Sequence, residues 1–229
     1  MDIKKNLLTL SNSLNGKNCR LVAVSKTKPI EDLQAAYEAG QRLFGENKAQ
    51  EMTQKEAELP KDIEWHMIGH LQRNKVKYIA PYVSLIHSVD SLKLLKEINK
   101  QALRNERVID VLLQIHIAEE DTKFGLDKNE LFELLHDVSL PELANVRIIG
   151  LMGMATFTDD QDQVRREFRF LKTLFDEARN DETPGNVNIT ELSMGMSGDY
   201  EIALEEGSTL IRVGSSIFGA RNYSLELLY

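Results

Sequence analysis

Short apolar runs alternate with longer amphipathic stretches along almost the whole chain. The runs are rich in β-branched side chains and have the length of strands. They predict eight strands, at residues 20–25, 42–45, 64–68, 83–88, 108–115, 146–151, 187–193 and 209–213. The stretches between them carry apolar residues at helical spacing. They predict eight helices, at residues 1–14, 30–40, 48–59, 72–79, 91–104, 128–136, 162–179 and 199–206.

Strand and helix thus alternate through 229 residues, and several strands show no polar alternation, as expected where both faces are covered. This order predicts an α/β fold, a single (β/α)₈ TIM barrel with an extra N-terminal helix. The alternative is a doubly wound open sheet. That fold favours a glycine-rich turn after the first strand, whereas residues 25–29 contain no glycine. Because no linker, repeat or low-complexity tract interrupts the pattern, we expect residues 1–229 to form one domain.

Composition narrows the classes of function. The chain has 28 Lys and Arg against 36 Asp and Glu, a formal net charge of −8, which argues against a nucleic-acid partner. No apolar run has the length of a membrane span, and the N-terminus lacks the features of a signal peptide. Cys19 is the single cysteine, so no thiolate metal cluster or intrachain disulfide can form. We therefore expect a cytoplasmic protein, and the lack of a heptad pattern favours a monomer.

In such a barrel the functional site lies where the strands end and the βα loops begin. Lys26 follows the first predicted strand. Desolvation at a strand end disfavours the ammonium form and makes an amine reactive towards carbonyl groups. The alternative interpretation is a surface lysine at the start of a loop.

The loops after strands seven and eight, at residues 193–199 and 212–219, are rich in glycine and serine. Backbone amides in such loops bind anions, and barrels often hold a phosphate at these two places. Barrel closure pairs strand eight with strand one, which brings Lys26 beside these loops. A carbonyl-reactive amine beside a phosphate site suits pyridoxal 5′-phosphate (PLP), held as a Schiff base.

Several motifs together resemble one known family. They are AVSKTKP at 23–29, FGEN at 44–47, WHMIGHLQ at 65–72, NK at 74–75, SMGMS at 193–197 with Asp199, RVG at 212–214 and IFG at 217–219. With these motifs the chain resembles the YggS/PROSC family of pyridoxal phosphate homeostasis proteins. The resemblance covers nearly the whole chain. It implies the barrel of the alanine racemase N-terminal domain, with PLP bound to Lys26.

The resemblance also implies roles for further residues. Ser197, Gly214 and Ser215 match phosphate-binding positions, and Arg212 matches an arginine that faces the pyridine nitrogen. Met154 falls where the racemase places a residue against the cofactor ring, and Asn47 lies at a strand end where it would contact the cofactor. Lys123 matches a basic position near the cofactor, which suggests a role in PLP transfer.

The expected chemistry is binding rather than catalysis. An arginine offers only donors, so a pyridine nitrogen facing Arg212 stays unprotonated and the ring is a weaker electron sink. In alanine racemase the second base is a tyrosine from a β-rich domain, whereas ten residues follow Gly219 here, with Tyr223 and Tyr229 among them. We therefore expect no catalytic residue. The expected role is a PLP carrier or buffer, with apo forms of PLP-dependent enzymes as recipients, and the alternative is a PLP-dependent amino-acid racemase.

Two further patterns leave weaker expectations. His66 and His70 are four residues apart, but no glutamate of a helical zinc motif lies between them, so no metal site is expected. His66 is expected to pack or hydrogen-bond near the site. His87 ends the fourth strand, where it either lines the pocket or is a hydrogen-bonded core histidine.

Overall fold

The computed structural model describes residues 2–119 and 124–220. Eight parallel strands close into a barrel in the order of the chain, and β8 pairs with β1. The prediction of a (β/α)₈ barrel is confirmed, and the open doubly wound sheet is excluded. The strands are β1 Arg20–Val24, β2 Leu43–Glu46, β3 Glu64–Met67, β4 Leu85–Val89, β5 Ile109–Ile115, β6 Val146–Gly153, β7 Val187–Ser193 and β8 Leu210–Val213.

Helices cover the outside of the barrel, and the predicted extra helix precedes β1. The helices are α1 Ile3–Leu14, α2 Ile30–Glu38, α3 Ala49–Glu58, α4 Val76–Ile79, α5 Leu92–Arg104, α6 Lys128–Leu135, α7 Gln161–Arg179, α8 Tyr200–Glu205 and α9 Ser215–Phe218. None of the helices in the described part of the chain has the length and apolar character to cross a membrane.

The strand boundaries agree with the sequence prediction to within two residues. The helix predicted at residues 72–79 is instead a 3₁₀ turn, Arg73–Lys75, followed by the single turn of α4. Helix α9 was not predicted, because four residues are too few for a periodic pattern to show. Leu103, near the end of α5, is exposed, since its position lies at the edge of the apolar stripe of that helix.

Two apolar layers surround the sheet. One fills the barrel interior with side chains from alternate strand positions, namely Val22, Leu85, Leu112, Met152 and Leu210. The other is larger and lies between the strands and the helices, where Ala23, Phe44 and Trp65 point outward. Because side chains alternate along a strand, this division fixes which strand-end residues face the barrel mouth. Arg212, two residues after Leu210, therefore faces inward.

Helix α7 contributes the largest apolar stripe to the outer layer. Phe168, Leu171 and Leu174 are fully buried, and Phe175 is nearly so. Asp160 caps the first turn by accepting hydrogen bonds from the backbone N–H groups of Asp162 and Gln163.

We expect Phe168→Ala to reduce the free energy of unfolding by about 3–5 kcal/mol, because it removes a fully buried ring and leaves a cavity. Phe170→Ala makes the same change on the same helix at a side chain that is 42% exposed, and it should cost less than about 1 kcal/mol. Urea unfolding of both variants measures the difference. Equal losses would show that α7 does not pack on the barrel as described.

Candidate functional site

Lys26 lies in the turn that follows β1, at the carboxyl end of the barrel, and it is half-buried. Val22 occupies the barrel interior, so the alternation of side chains directs Val24, the last residue of β1, to the same side. The structure therefore places Lys26 where the sequence predicted it, directly after the first strand at the carboxyl end of the barrel.

The backbone that carries Lys26 is held by a buried polar cluster. Lys55 of α3 donates hydrogen bonds to the Ser25 carbonyl at 2.7 Å, to Glu46 Oε1 at 2.8 Å and to Glu51 Oε1 at 2.7 Å. The Ser25 hydroxyl donates to the same Glu46 oxygen at 2.6 Å. All three N–H groups of the ammonium thus have acceptors, and one of them fixes the residue that precedes Lys26.

Burial dominates the electrostatics of this cluster. It raises the pKa of Glu46 from its ordinary 4.5 to about 7, although the ammonium of Lys55 opposes the shift. Glu46 is fully buried, and its Oε2 has no hydrogen-bond partner within the described ranges. The carboxyl group at the end of β2 therefore changes charge near neutral pH while it touches the Lys26 turn.

The next residue of the turn is strained. Thr27 has φ = 63°, in the left-handed region, which is unusual for a β-branched residue. Its backbone N–H donates to Glu51 Oε1 at 2.7 Å, and this bond holds the conformation. Lys28 then donates from Nζ to the carbonyls of Phe218, Gly219 and Ala220, at 2.9, 3.2 and 3.1 Å. The Lys26 turn is thereby tied to the end of the loop after β8.

Arg212 of β8 is buried in the barrel interior. Its Nη1 donates to Ser193 Oγ at 2.5 Å, and its Nη2 donates to the Gly153 carbonyl at 3.0 Å. Burial lowers the pKa of the guanidinium to about 10, although Asp199 raises it, so the group stays charged at neutral pH. Its other three N–H groups have no acceptor among residues 2–119 and 124–220. This donor set fits a ligand that offers an acceptor atom.

The loops after β7 and β8 meet as predicted. The Gly214 N–H donates to Ser197 Oγ at 3.3 Å, and Ser215 begins the short helix α9. A Cβ atom at Gly214 would lie 3.0 Å from the Val24 carbonyl oxygen, so glycine allows this loop to approach the end of β1 closely. Ser197, Gly214 and Ser215 therefore lie beside the strand that carries Lys26, with Ser215 exposed.

Met154 and Asn47 lie at the ends of β6 and β2. Met154 packs against the interior cluster, at the level where that cluster meets the mouth. Asn47 is half-buried, and a Cβ atom at Gly69 would lie 2.7 Å from its Cα, so the loop after β3 packs directly on it. The fold thus gathers all seven of the predicted binding residues at the carboxyl end of the strands. Lys123, Tyr223 and Tyr229 lie outside the described residues.

Two polar clusters were missed by the sequence reasoning. One consists of Glu46, Glu51 and Lys55. The other joins Arg212 and Ser193 to two histidines. His87 Nδ1 lies 2.9 Å from Ser193 Oγ, and His66 Nδ1 lies 3.0 Å from His87 Nε2. Of the two alternatives for His87, the structure shows the hydrogen-bonded core histidine, because its side chain is fully buried in the barrel interior. The signal available in the sequence was the alternation of side chains, which directs positions 66, 87, 193 and 212 to the same side of the sheet.

No metal centre emerges from the part of the chain that the structure describes: no three His, Cys, Asp or Glu side chains there are grouped to hold an ion. His70 instead faces Asp90 at 3.7 Å and stacks on Phe124. A separate groove beside it has a volume of about 500 Å³, and none of the predicted binding residues lines it.

Comparison with known proteins agrees with this architecture. The alanine racemase N-terminal domain family matches residues 1–222. A protein of Aquifex aeolicus named pyridoxal phosphate homeostasis protein is 44% identical over 210 residues, covering 91% of this chain and 90% of the relative. The structure of PipY of Synechococcus elongatus PCC7942 with PLP bound is 37% identical and superposes with a TM-score of 0.85, covering 95% of this chain and 100% of that one.

Racemases are similar in fold alone. Alanine racemase of Bartonella henselae is 17% identical with a TM-score of 0.70, and this chain spans 59% of its length. The fold and the family match define the class, a barrel of the alanine racemase N-terminal domain type. Within that class, the chain belongs to the family of pyridoxal phosphate homeostasis proteins.

The buried cluster beneath Lys26 predicts a dependence of stability on pH. Because the pKa of Glu46 is higher in the folded state, the folded chain holds a proton that the unfolded chain releases between pH 4.5 and about 7. The contribution of Glu46 to stability therefore falls as pH rises through this window. Relative to Glu46→Gln, the wild type should lose on the order of 2 kcal/mol of unfolding free energy between pH 4.5 and 7.5.

Denaturant titrations across this pH range measure the effect. Glu58→Gln makes the same change at an exposed carboxylate, the last residue of α3, and should follow the wild-type profile. Parallel profiles for the wild type and Glu46→Gln would show that Glu46 keeps one charge state throughout.

Proposed function

We propose that this protein binds PLP as a Schiff base on Lys26 and acts as a carrier or buffer in intracellular PLP homeostasis. The observation that carries the proposal is the meeting of three features at the barrel mouth. They are the strand-end amine of Lys26, the joined loops of Ser197 and Gly214, and the buried charged donor Arg212. The names of the relatives and the PLP-bound structure of PipY support it.

The chemistry of each group suits one part of the cofactor. A PLP aldehyde supplies the carbonyl for the Lys26 amine, and Ser197, Gly214 and Ser215 offer hydroxyl and amide donors to the phosphate. Arg212 would donate to the pyridine nitrogen with an N–H group that is free of protein acceptors among the described residues. Met154 would pack on the ring, and Asn47 would line its edge.

The same residues argue for binding without robust catalysis. Arg212 offers only donor N–H groups and keeps its protons at neutral pH, so it cannot protonate the pyridine nitrogen as a carboxylic acid would. The relatives are named as homeostasis proteins and not as enzymes, which agrees with this interpretation.

The proposal extends to partners and organisation. The recipients of PLP would be apo forms of PLP-dependent enzymes, because a reversible linkage to Lys26 can be released by a competing amine. We further propose that residues 1–229 act as one domain and as a monomer in the cytoplasm. The support for one domain is that every strand in the described part of the chain belongs to a single barrel.

Lys26→Ala should abolish the change in visible absorbance, relative to free PLP, that follows addition of PLP to the protein, because the amine that forms the Schiff base is removed. Borohydride reduction followed by peptide mass mapping should locate a phosphopyridoxyl group on Lys26 of the wild type. Lys48→Ala removes an exposed lysine at the N-terminus of α3 and should leave both signals intact. An adduct elsewhere with Lys26 unmodified would overturn the proposal.

The PLP-loaded protein should not interconvert amino-acid enantiomers faster than free PLP does. Chiral chromatography after incubation with individual L-amino acids, alanine included, measures this directly. The Lys26→Ala variant with PLP added serves as the background. Turnover that is well above free PLP and that disappears in this variant would replace the carrier with the racemase alternative.

A further inference from the structure

Four buried polar side chains form a row inside the barrel, from the end of β3 to β8. Arg212 Nη1 lies 2.5 Å from Ser193 Oγ, Ser193 Oγ lies 2.9 Å from His87 Nδ1, and His87 Nε2 lies 3.0 Å from His66 Nδ1. Each side chain is at least 96% buried. Of these four side chains, only Arg212 has a role in the proposed binding site, and the burial of the other three is unexplained.

Both histidines are neutral in this row. Burial lowers the pKa of His66 to about 3 and lowers the pKa of His87 well below its ordinary value. A neutral imidazole has one donor nitrogen and one acceptor nitrogen. The two hydrogen bonds that join Ser193, His87 and His66 therefore point the same way along the row. Either both donate towards His66 or both donate towards Ser193.

The hydrogen bonds of Ser193 show which of the two directions is present. Arg212 can only donate, so Ser193 Oγ accepts from it. If His87 also donated to Ser193, the hydroxyl proton would have no acceptor, because Ser193 Oγ has no third partner among the described residues. If Ser193 donates to His87 Nδ1, the hydroxyl proton has an acceptor, and His87 Nε2–H then donates to His66 Nδ1. The row therefore runs Arg212 to Ser193 to His87 to His66.

We propose that Ser193, His87 and His66 are positioning residues that orient Arg212 towards the pyridine nitrogen of the cofactor. A serine that gives its proton to His87 is a better acceptor for the guanidinium, because successive hydrogen bonds polarise one another. With the Gly153 carbonyl on Nη2, this acceptor fixes the plane of the guanidinium from the protein side. The inference rests on the proposed binding of PLP, and its test separates the two.

The test compares PLP with 1-deaza-PLP, in which a C–H group replaces the pyridine nitrogen. Dissociation constants are measured by absorbance titration for the wild type and for Ser193→Ala. The wild type should bind PLP about tenfold more tightly than the deaza compound, the usual effect of a hydrogen bond from a charged donor. In Ser193→Ala the ratio should fall to about two or less, because Arg212 is no longer held in place.

Ser88→Ala is the matched control. Ser88 is a serine that is also fully buried, but its Oγ has no hydrogen-bond partner in the described part of the chain, so the ratio should stay near the wild-type value. His87→Leu, which leaves Ser193 in place and removes the acceptor of its proton, should give an intermediate ratio. If circular dichroism shows Ser193→Ala to be unfolded, the ratio of dissociation constants for His87→Leu is compared with that of the wild type instead.

The outcomes are distinct. If Ser193→Ala and His87→Leu keep the wild-type ratio of dissociation constants, the positioning role is overturned. A ratio near one in the wild type itself shows that Arg212 does not face the pyridine nitrogen and also overturns the inference, while PLP binding stands. Absence of a borohydride adduct on Lys26 of the wild type defeats the proposed function separately, whatever the ratios are.

Discussion

The pairing of β8 with β1 is the constraint on which the site depends. Its register aligns Val22 with Arg212 and Ala23 with Val213, so the two strands end at nearly the same height. Gly214 can then lie against Val24, and Lys28 can reach the carbonyls after α9. Without closure of the barrel, the amine and the loops proposed to bind phosphate would lie at opposite edges of an open sheet.

Buried polar groups, more than apolar packing, hold the reactive turn in place. Lys55 is nearly inaccessible, and its three hydrogen bonds are made to groups that position residues 25 and 27. A buried ion pair is weak grounds for stability, because desolvation offsets most of the attraction. Its contribution here is geometric: Lys55 joins the Ser25 carbonyl to Glu46 and Glu51, and loss of Lys55 would leave both carboxyl groups without the ammonium that links them to the strained turn.

The sequence predicted the barrel because alternating periodicity is local information, and strand order then placed Lys26 and Arg212 at one end. It did not predict the pairing of Glu46 with Lys55, because Lys55 reads as a polar position on an amphipathic helix and nothing local marks it as buried. His66 and His87 likewise appear as unrelated strand-end residues, twenty-one positions apart. Contacts between elements depend on register, which the pattern of apolar positions leaves open.

Under the proposed function, the two polar clusters would support different parts of the cofactor site. The Glu46–Lys55 cluster lies outside the strands and holds the backbone on either side of Lys26, whereas the row from Arg212 to His66 lies inside the barrel and holds the donor proposed for the ring nitrogen. A donor that cannot lose its proton keeps a pyridine nitrogen unprotonated, which weakens the withdrawal of electrons from a bound amino acid. An amine and a phosphate site without a strong electron sink favour reversible holding of an aldehyde over the breaking of bonds in a substrate.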